Sequence, residues 1–327
     1  MHFRLYFPRW RFPYNLGDTV MLSCVFKAVR HILNPDLFEV IADQTTVDLF
    51  YNDPYVDRLR TATWLERKLI KKIDQGFFGK NRVVLWPTWQ ESVFQYLATG
   101  DHLQCLIESP NRNVLSLNNA WLLGPEFVEF EDLRPRIHLT AEELHVAREE
   151  IPPNSIAIHV AQIRNTQSRL DGETLRFRRD GWQVLVSRIK QYDPSITIWE
   201  VGRNAFLGVG DQALIVDKDI RSLAARLAMM RLVILSDGGI HNVCNAIDKN
   251  VLLFQAYEFN PPDMFKMGNA LFNPDYHLQC RLGCHIFSDI LKTSSTMNHC
   301  NRECYGLDAH LLAEDAISFL RRFPLGG

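Results

Sequence analysis

Leu232-Val233-Ile234-Leu235-Ser236-Asp237-Gly238-Gly239-Ile240-His241-Asn242-Val243 is the stretch on which the fold turns. Four successive large apolar residues make a short run that is dry on both faces, as a strand inside a parallel sheet is. Gly238 and Gly239 then permit positive φ and let a ligand approach the backbone. From Asn242 to Ile247 the chain can run as a helix, whose free N–H groups favour an anion. His241, at the helix start, can donate to a phosphate oxygen. Asp237 repels phosphate and is better suited to accepting hydroxyls from a sugar or ribose. A plain strand-to-helix turn capped by Asp237 gives the same local pattern. Taken alone, the stretch is an anion site at a helix start.

Working outward, the same alternation recurs. Ile220 to Met230 reads as a helix before this strand, and Val251 to Phe254 as a strand after it. Ile156 to Val160 is a strand, Trp182 to Ile189 a helix ended near Asp193-Pro194, and Ile196 to Val201 a strand. In the first half, Arg4 to Phe7 is a strand, and a loop through Pro13 to Gly17 leads into Asp18. Val20, Met21, Cys24, Val25, Ala28, Val29 and Ile32 mark one face of the next helix, which Asn34-Pro35 stops. Phe38 to Ala42 is a strand, Val47 to Tyr51 a short helix, and Val83 to Trp86 a strand. A last helix, Ala309 to Arg322, carries Leu311, Leu312, Ala316, Ile317 and Leu320. Pro152-Pro153 breaks the chain between the two series. The expectation is an α/β protein of two facing Rossmann-like domains, residues 1-150 and 151-327. Ligands then lie beyond the carboxyl ends of the strands.

Length and composition agree. The 327 residues are about twice an ordinary domain. Thirty-six basic and 38 acidic residues leave a formal charge of -2, so nothing draws the whole protein to nucleic acid. Arg and Pro interrupt the N-terminal segment too early for a signal peptide, and no apolar run reaches membrane-spanning length. A cytoplasmic protein is expected, with peripheral membrane contact left open and no prediction of oligomeric state. In that compartment the seven cysteines are not a disulfide framework. Cys24, Cys105 and Cys244, each alone in an apolar or amphipathic segment, are expected to be buried, inert thiols.

Leu235 to Ala246 resembles the nucleotide-sugar motif of glycosyltransferase family 9, which includes the heptosyltransferases. One residue, Ile240, separates Gly239 from His241, where the family pattern has two. Asn15-Leu16-Gly17-Asp18-Thr19-Val20 resembles the Ile-Gly-Asp loop that opens the family's first helix. Asn52-Asp53-Pro54-Tyr55-Val56-Asp57 is similar to its Asn-Pro-Tyr-Val-Asp segment. The resemblance implies the GT-B architecture, an inverting transfer from a nucleotide-activated sugar, and a glycan, lipid-glycan or protein acceptor. Such a transfer needs a carboxylate to take the acceptor's proton. The resemblance gives that part to Asp18, which could otherwise serve as a helix cap. The leaving diphosphate needs positive charge. Arg164 is one candidate, and the basic residue that the family places before a Trp falls on Arg178 or Arg179. Gly202-Arg203 sits where the family contacts the nucleoside, and Asp237, Gly238, Gly239 and His241 complete the donor site. No Asp-x-Asp pair offers a catalytic cation, and no organic cofactor is expected.

Cys280-Arg-Leu-Gly-Cys284 and Cys300-Asn-Arg-Glu-Cys304 place four thiols within one short segment, about 277-305. Four thiolates suit tetrahedral zinc or iron, and His277, His285 and His299 flank them. The resemblance extends here too, because some heptosyltransferase-like enzymes carry a four-Cys metal element. Reduced, metal-free thiols are the alternative. Two rival functions need different residues. A nucleotide-sugar epimerase or dehydrogenase wants a Gly-x-Gly-x-x-Gly turn after the first strand, and Pro13 to Asp18 has none. A non-catalytic binding module would tolerate Asp18→Asn.

Overall fold

The computed structural model describes residues 1–8, 16–73, 76–78, 80–85, 114–159, 179–202, 206–216, 219–236, 239–254, 277–278 and 309–322. The chain divides into two units. The first is essentially Met1–Thr140, joined by Asn245–Ile247, and the second runs on from Ala141.

In the first unit, β1 (His2–Tyr6) is the central strand. On one side it pairs with β2 (Leu37–Ala42), which pairs with β3 (Arg58–Thr61); on the other it pairs with β5 (Arg82–Val84). These pairings are parallel, and β4 (Gly76–Phe77) adds an antiparallel edge to β5. Alternation along β1 sends Phe3 and Leu5 to one face and His2, Arg4 and Tyr6 to the other. The Phe3 and Phe38 rings pack at a tilt with centroids 5.8 Å apart, and Phe26 meets Phe38 and Phe50 edge-on at 5.9 and 5.1 Å. Phe26 opens α2 (Phe26–Leu33), which continues α1 (Leu16–Met21) through a tighter 3₁₀ turn at Leu22–Val25. Asn34 ends this helical run in the left-handed conformation, at φ 41°. Its short polar side chain tolerates that geometry, and Pro35 cannot extend a helix.

The opposite face is half apolar and half ionic. Tyr6, Ile41, Ala62, Val84 and Ile70 cluster there, Ile70 coming from α4 (Trp64–Ile70). On the same face, the buried Glu39 accepts Nε–H from Arg4 at 3.0 Å and from Arg60 at 2.8 Å. Arg60 also forks onto Glu66 at 2.7 and 2.6 Å. Glu66 closes a capping box with Thr63 at the start of α4. Its Arg60 partner holds the carboxyl down to about 2.

The Asn52-to-Asp57 segment has a local structural job. Asn52 takes φ 70°, and Asp53 Oδ1 accepts the Tyr55 N–H at 2.9 Å. Asp57 Oδ2 accepts the Phe38 N–H and Arg30 Nη2–H, both at 2.6 Å. Arg30 also donates to the Pro35 and Tyr55 carbonyls. One guanidinium thus ties the end of α2 to the turn that feeds β3. The expected helix over Val47 to Tyr51 instead spans α3 (Gln44–Leu49), because Asp43 caps it from the N–H of Thr46 at 2.8 Å. Farther along the chain, α5 (Val114–Trp121) and α6 (Pro125–Val128) complete the described helices of this unit. They fall in the stretch around 100 to 135 whose sequence offers no clear period.

The second unit opens with α7 (Ala141–Glu150), so the division precedes Pro152-Pro153. That helix packs on α9 (Ile220–Met229). Arg221 forks onto Glu143 at 2.6 Å through Nε and Nη2, and Arg226 meets Glu150 at 2.5 Å. The sheet is parallel, in the order β11-β10-β9-β6-β7-β8. In chain order its strands are β6 (Ser155–His159), β7 (Thr197–Gly202), β8 (Gln212–Ile215), β9 (Leu232–Ser236), β10 (Val251–Phe254) and β11 (His277–Leu278). Ile156, Ile158, Ile198, Leu232 and Ile234 share one face with α8 (Arg179–Tyr192) and α11 (Ala309–Arg322). The buried stripe of α11 is Ala309, Leu312, Ala313, Ala316, Phe319 and Leu320. Ile317, expected on that stripe, is half-exposed at its edge, and the Leu311 side chain lies outside the described residues.

Candidate functional site

In the second sheet the chain leaves β6 outward through β7 and β8, then returns on the other flank of β6 as β9 and continues through β10 and β11. Successive connections therefore diverge between β6 and β9, leaving a crevice beyond the carboxyl ends of these two strands. His159 ends β6, in register with Leu235 of β9 and Val201 of β7. Ser236 ends β9, and α10 (Gly239–Ala246) starts after Asp237 and Gly238. The topology brings the quoted glycine turn to the switch point of this sheet.

His159 is a residue at this point to which the sequence reading gave no role. Its Nδ1 is shielded from solvent and has no hydrogen-bond partner among the described residues. Burial pushes the imidazole down to about 4, so it is neutral at pH 7 and able to donate through one nitrogen and accept through the other. An unfolded chain with a His near 6.5 takes up a proton that the folded chain refuses. The stabilising term is whole above pH 6.5 and is lost as pH falls toward 4. About 2 kcal/mol should disappear between pH 7 and pH 5. Asp53 in the first unit works in the other direction, because burial raises its carboxyl to about 6 and acidification favours its folded, protonated form. Comparing urea midpoints of wild type and His159→Gln at the two pH values isolates the histidine. The variant should keep more of its stability at pH 5. An identical acid loss in both proteins would show that the ring titrates as an ordinary histidine.

Gly202 ends β7, and its carbonyl accepts the Val216 N–H at 2.8 Å. Two residues back in β7, Glu200 is 2% exposed. Its Oε1 accepts the N–H of Leu207 and its Oε2 that of Val209 at 3.1 Å. Gly208 between them takes φ 67°. A Cβ on Gly210 would meet the Ile198 carbonyl at 3.0 Å, so the loop returns flat against β7. A buried carboxylate thereby shapes the loop that follows Gly202. The sequence signal was a lone acid inside the apolar run Ile196 to Val201.

In α10 the helix starts at Gly239, earlier than the Asn242 of the sequence reading. Its first turn presents the backbone N–H groups that a helix start leaves without intrahelical partners. Ile240 and Asn242 are buried, and His241 is fully so. Farther along α10, Cys244 is buried and its thiol is pushed up to about 12. Cys24 in the first unit is likewise buried at about 12, so both are the inert thiols expected. Cys105 lies outside the described residues.

The first sheet repeats the arrangement. From β1 the chain moves out through β2 and β3 and returns to the other flank as β5, so the reversal lies at β1. The helical run that opens with Leu16 follows the carboxyl end of β1, and Asp18 stands in its first turn. Gly17 and Thr19 are buried, and the Asp18 side chain lies outside the described residues.

This double arrangement of parallel sheets has solved counterparts. A glycosyl transferase family 9 structure from Veillonella parvula is 12% identical with a TM-score of 0.59, covering 98% of this chain and 97% of that one. The Escherichia coli ADP-heptose lipopolysaccharide heptosyltransferase II matches at 12% identity and TM-score 0.61, over 98% and 99% of the two chains. The iron-containing dodecameric glycosyltransferase TibC of enterotoxigenic E. coli matches at 12% and 0.62, over 98% of this chain and 78% of its own. The chain has the GT-B fold of the heptosyltransferases. No protein-family model matches the sequence, and no curated protein does.

Within this GT-B fold, Gly202, Gly239 and His241 of the expected donor residues are described, at the end of β7 and in the first turn of α10. Arg179 opens α8, with its side chain outside the described residues. Arg164, Arg178, Arg203, Asp237 and Gly238 lie outside them altogether, in connections that follow β6, β7 and β9. Cys280, Cys284, Cys300 and Cys304 also lie outside. Among the described residues no group of three or more His, Cys, Asp or Glu side chains gathers to hold a metal. None of the described helices is long and apolar enough to cross a membrane.

Proposed function

We propose that the protein is an inverting glycosyltransferase that moves a sugar, with heptose the first candidate, from a nucleotide-activated donor to a glycan, lipid-glycan or protein acceptor. What supports this reading is one conjunction. A heptosyltransferase fold spans 98% of the chain, and both motif loops follow the central strands of their sheets. The second unit holds the donor. Asp237 accepts sugar or ribose hydroxyls, while Gly238, Gly239 and the start of α10 receive the diphosphate together with His241. Arg164 and Arg178 or Arg179 add charge as the diphosphate leaves, and Gly202-Arg203 borders the nucleoside. Asp18 of the first unit takes the acceptor's proton as its oxygen attacks the anomeric carbon and the bond to the diphosphate breaks. The chemistry uses no catalytic cation, and the enzyme works in the cytoplasm.

The test is a thermal-shift series with ADP, UDP, GDP and their sugars. TibC has been crystallised with an ADP-heptose, which makes ADP and ADP-heptose the first pair to try. A ligand at about a hundred times its Kd adds about 2.7 kcal/mol, enough to raise Tm by several degrees. No shift from any of them at millimolar concentration would remove the donor site.

The four clustered cysteines belong to the same reading as a structural zinc or iron site, outside the chemistry of transfer. Elemental analysis of the purified protein should return about one equivalent of metal. Cys280→Ser/Cys284→Ser should abolish it. A content near zero in the wild-type protein sinks the proposal.

A further inference from the structure

Helix α4 of the first unit has an inner side that the fold uses and an outer side that it does not. On the inner side Ile70 is buried, and Ile73 and Phe78 pack on the cluster around Tyr6. Glu66, the acid of this helix, is turned to Arg60. On the outer side Trp64, Leu65 and Leu69 are 64%, 70% and 49% exposed. Arg67, Lys68, Lys71 and Lys72 are exposed beside them. The i, i+4 spacing sets these residues in adjacent rows: Leu65 with Leu69, Trp64 with Lys68, and Arg67 with Lys71. Lys68 Nζ lies 3.8 Å from the Trp64 ring centroid. The same face of the sheet, beyond the helix, carries a pocket of about 410 Å³ lined by His2, Arg4, Phe78, Lys80, Asn81 and Arg82.

We propose that this face of the first unit docks on an anionic lipid bilayer. Trp64, Leu65 and Leu69 enter the headgroup–acyl boundary, and the α4 cations lie among the headgroups. Lys80 and Arg82 receive a lipid phosphate in the pocket, where Arg4 is already paired with Glu39. Two arguments favour a bilayer over other occupants. A soluble polyanion uses the cations but has no use for a Leu–Leu row beside an exposed Trp, whereas a bilayer interface uses all three. A second copy presenting the same face would oppose four like charges with four. The proposal stands apart from the transfer reaction, because it needs neither the donor site nor Asp18.

The experiment sediments the full chain with vesicles of phosphatidylcholine alone and of phosphatidylcholine mixed with phosphatidylglycerol. Binding is expected to the mixed vesicles and to fall as salt rises. Each lysine removed costs about fivefold in affinity, so Lys68→Ala/Lys72→Ala should lose roughly twenty-fivefold. Leu65→Ser/Leu69→Ser should lose affinity without flattening the salt dependence. These side chains are exposed, so urea midpoints should match wild type. Failure of the wild-type protein to sediment with the mixed vesicles overturns the proposal, as does equal binding by both variants. Two further results overturn it in favour of a named occupant. A short RNA duplex bound as tightly as the vesicles, and insensitive to the leucine pair, marks a soluble-polyanion site. A smaller particle by light scattering for the leucine variant marks a contact between copies of this chain.

Discussion

Asp18→Asn is expected to lower kcat about a thousandfold while leaving nucleotide binding unchanged and stability within about 1 kcal/mol of wild type. The exchange separates the two jobs that an acid in a helix's first turn can do. Asp18 is the third residue of its helix, past the cap, so its structural alternative is a charge beside the helix N-terminus. Asn gives that charge up at a cost below about 1 kcal/mol and with no loss of turnover. A general base loses its function, because an amide has no lone pair basic enough to take a hydroxyl proton. A thousandfold drop corresponds to about 4 kcal/mol of barrier. The helical run that carries Asp18 is anchored by buried Val20, Met21, Leu22 and Val25, which the variant leaves in place. The readouts are turnover with the nucleotide sugar that gives the largest thermal shift, the shift itself, and the urea midpoint. Turnover within tenfold of wild type would take the base away from Asp18. Loss of all three together would make it structural.

Glu200→Ala should destabilise the second unit by about 3 kcal/mol. Glu200 is buried at the carboxyl half of β7 and receives two backbone N–H groups from the loop that follows Gly202. Hydrogen bonds to a charged group are worth more than neutral ones, and truncation leaves both donors to find water. Glu200→Gln keeps one carbonyl acceptor and should cost about half as much. Because this loop borders the nucleoside in the proposed donor complex, both variants should also shrink the nucleotide thermal shift, alanine more than glutamine. Urea unfolding followed in parallel with the shift decides the matter. An alanine variant as stable as wild type would show that the loop keeps its course without the carboxylate.

Much of the α/β layout was legible in the residues because buried parallel strands must be apolar on both sides. Leu232 to Leu235, Ile156 to His159 and Val251 to Phe254 all lie in strands within a residue or so of their reading. The last helix has the bounds read from its period, Ala309–Arg322. Edge strands were not legible. In β8 only Leu214 is buried, and β3 reads Arg-Leu-Arg-Thr, because an edge open to solvent carries polar side chains and loses the apolar signal. The side of the division on which Ala141–Glu150 falls was invisible as well. It rests on Arg221 and Arg226, whose partners Glu143 and Glu150 are more than seventy residues away in the chain.

For the site, the sequence by itself determined where an anion could meet a helix start, because glycines and a free helix N-terminus act through local backbone geometry. Asp18 came forward as a candidate base through the resemblance of Asn15 to Val20 to a known family loop. Only the tertiary structure decided that β6 lies beside β9, so that the turn after Ser236 and the end of His159 share one switch point. Strand adjacency depends on pairing between segments far apart in sequence, and no local pattern encodes it. The same holds for Glu200, whose partners are backbone N–H groups with no side-chain identity to read, and for the outer side of α4. Its residues spell an amphipathic helix in sequence, but exposure of Trp64, Leu65 and Leu69 follows from which side the sheet chose to cover.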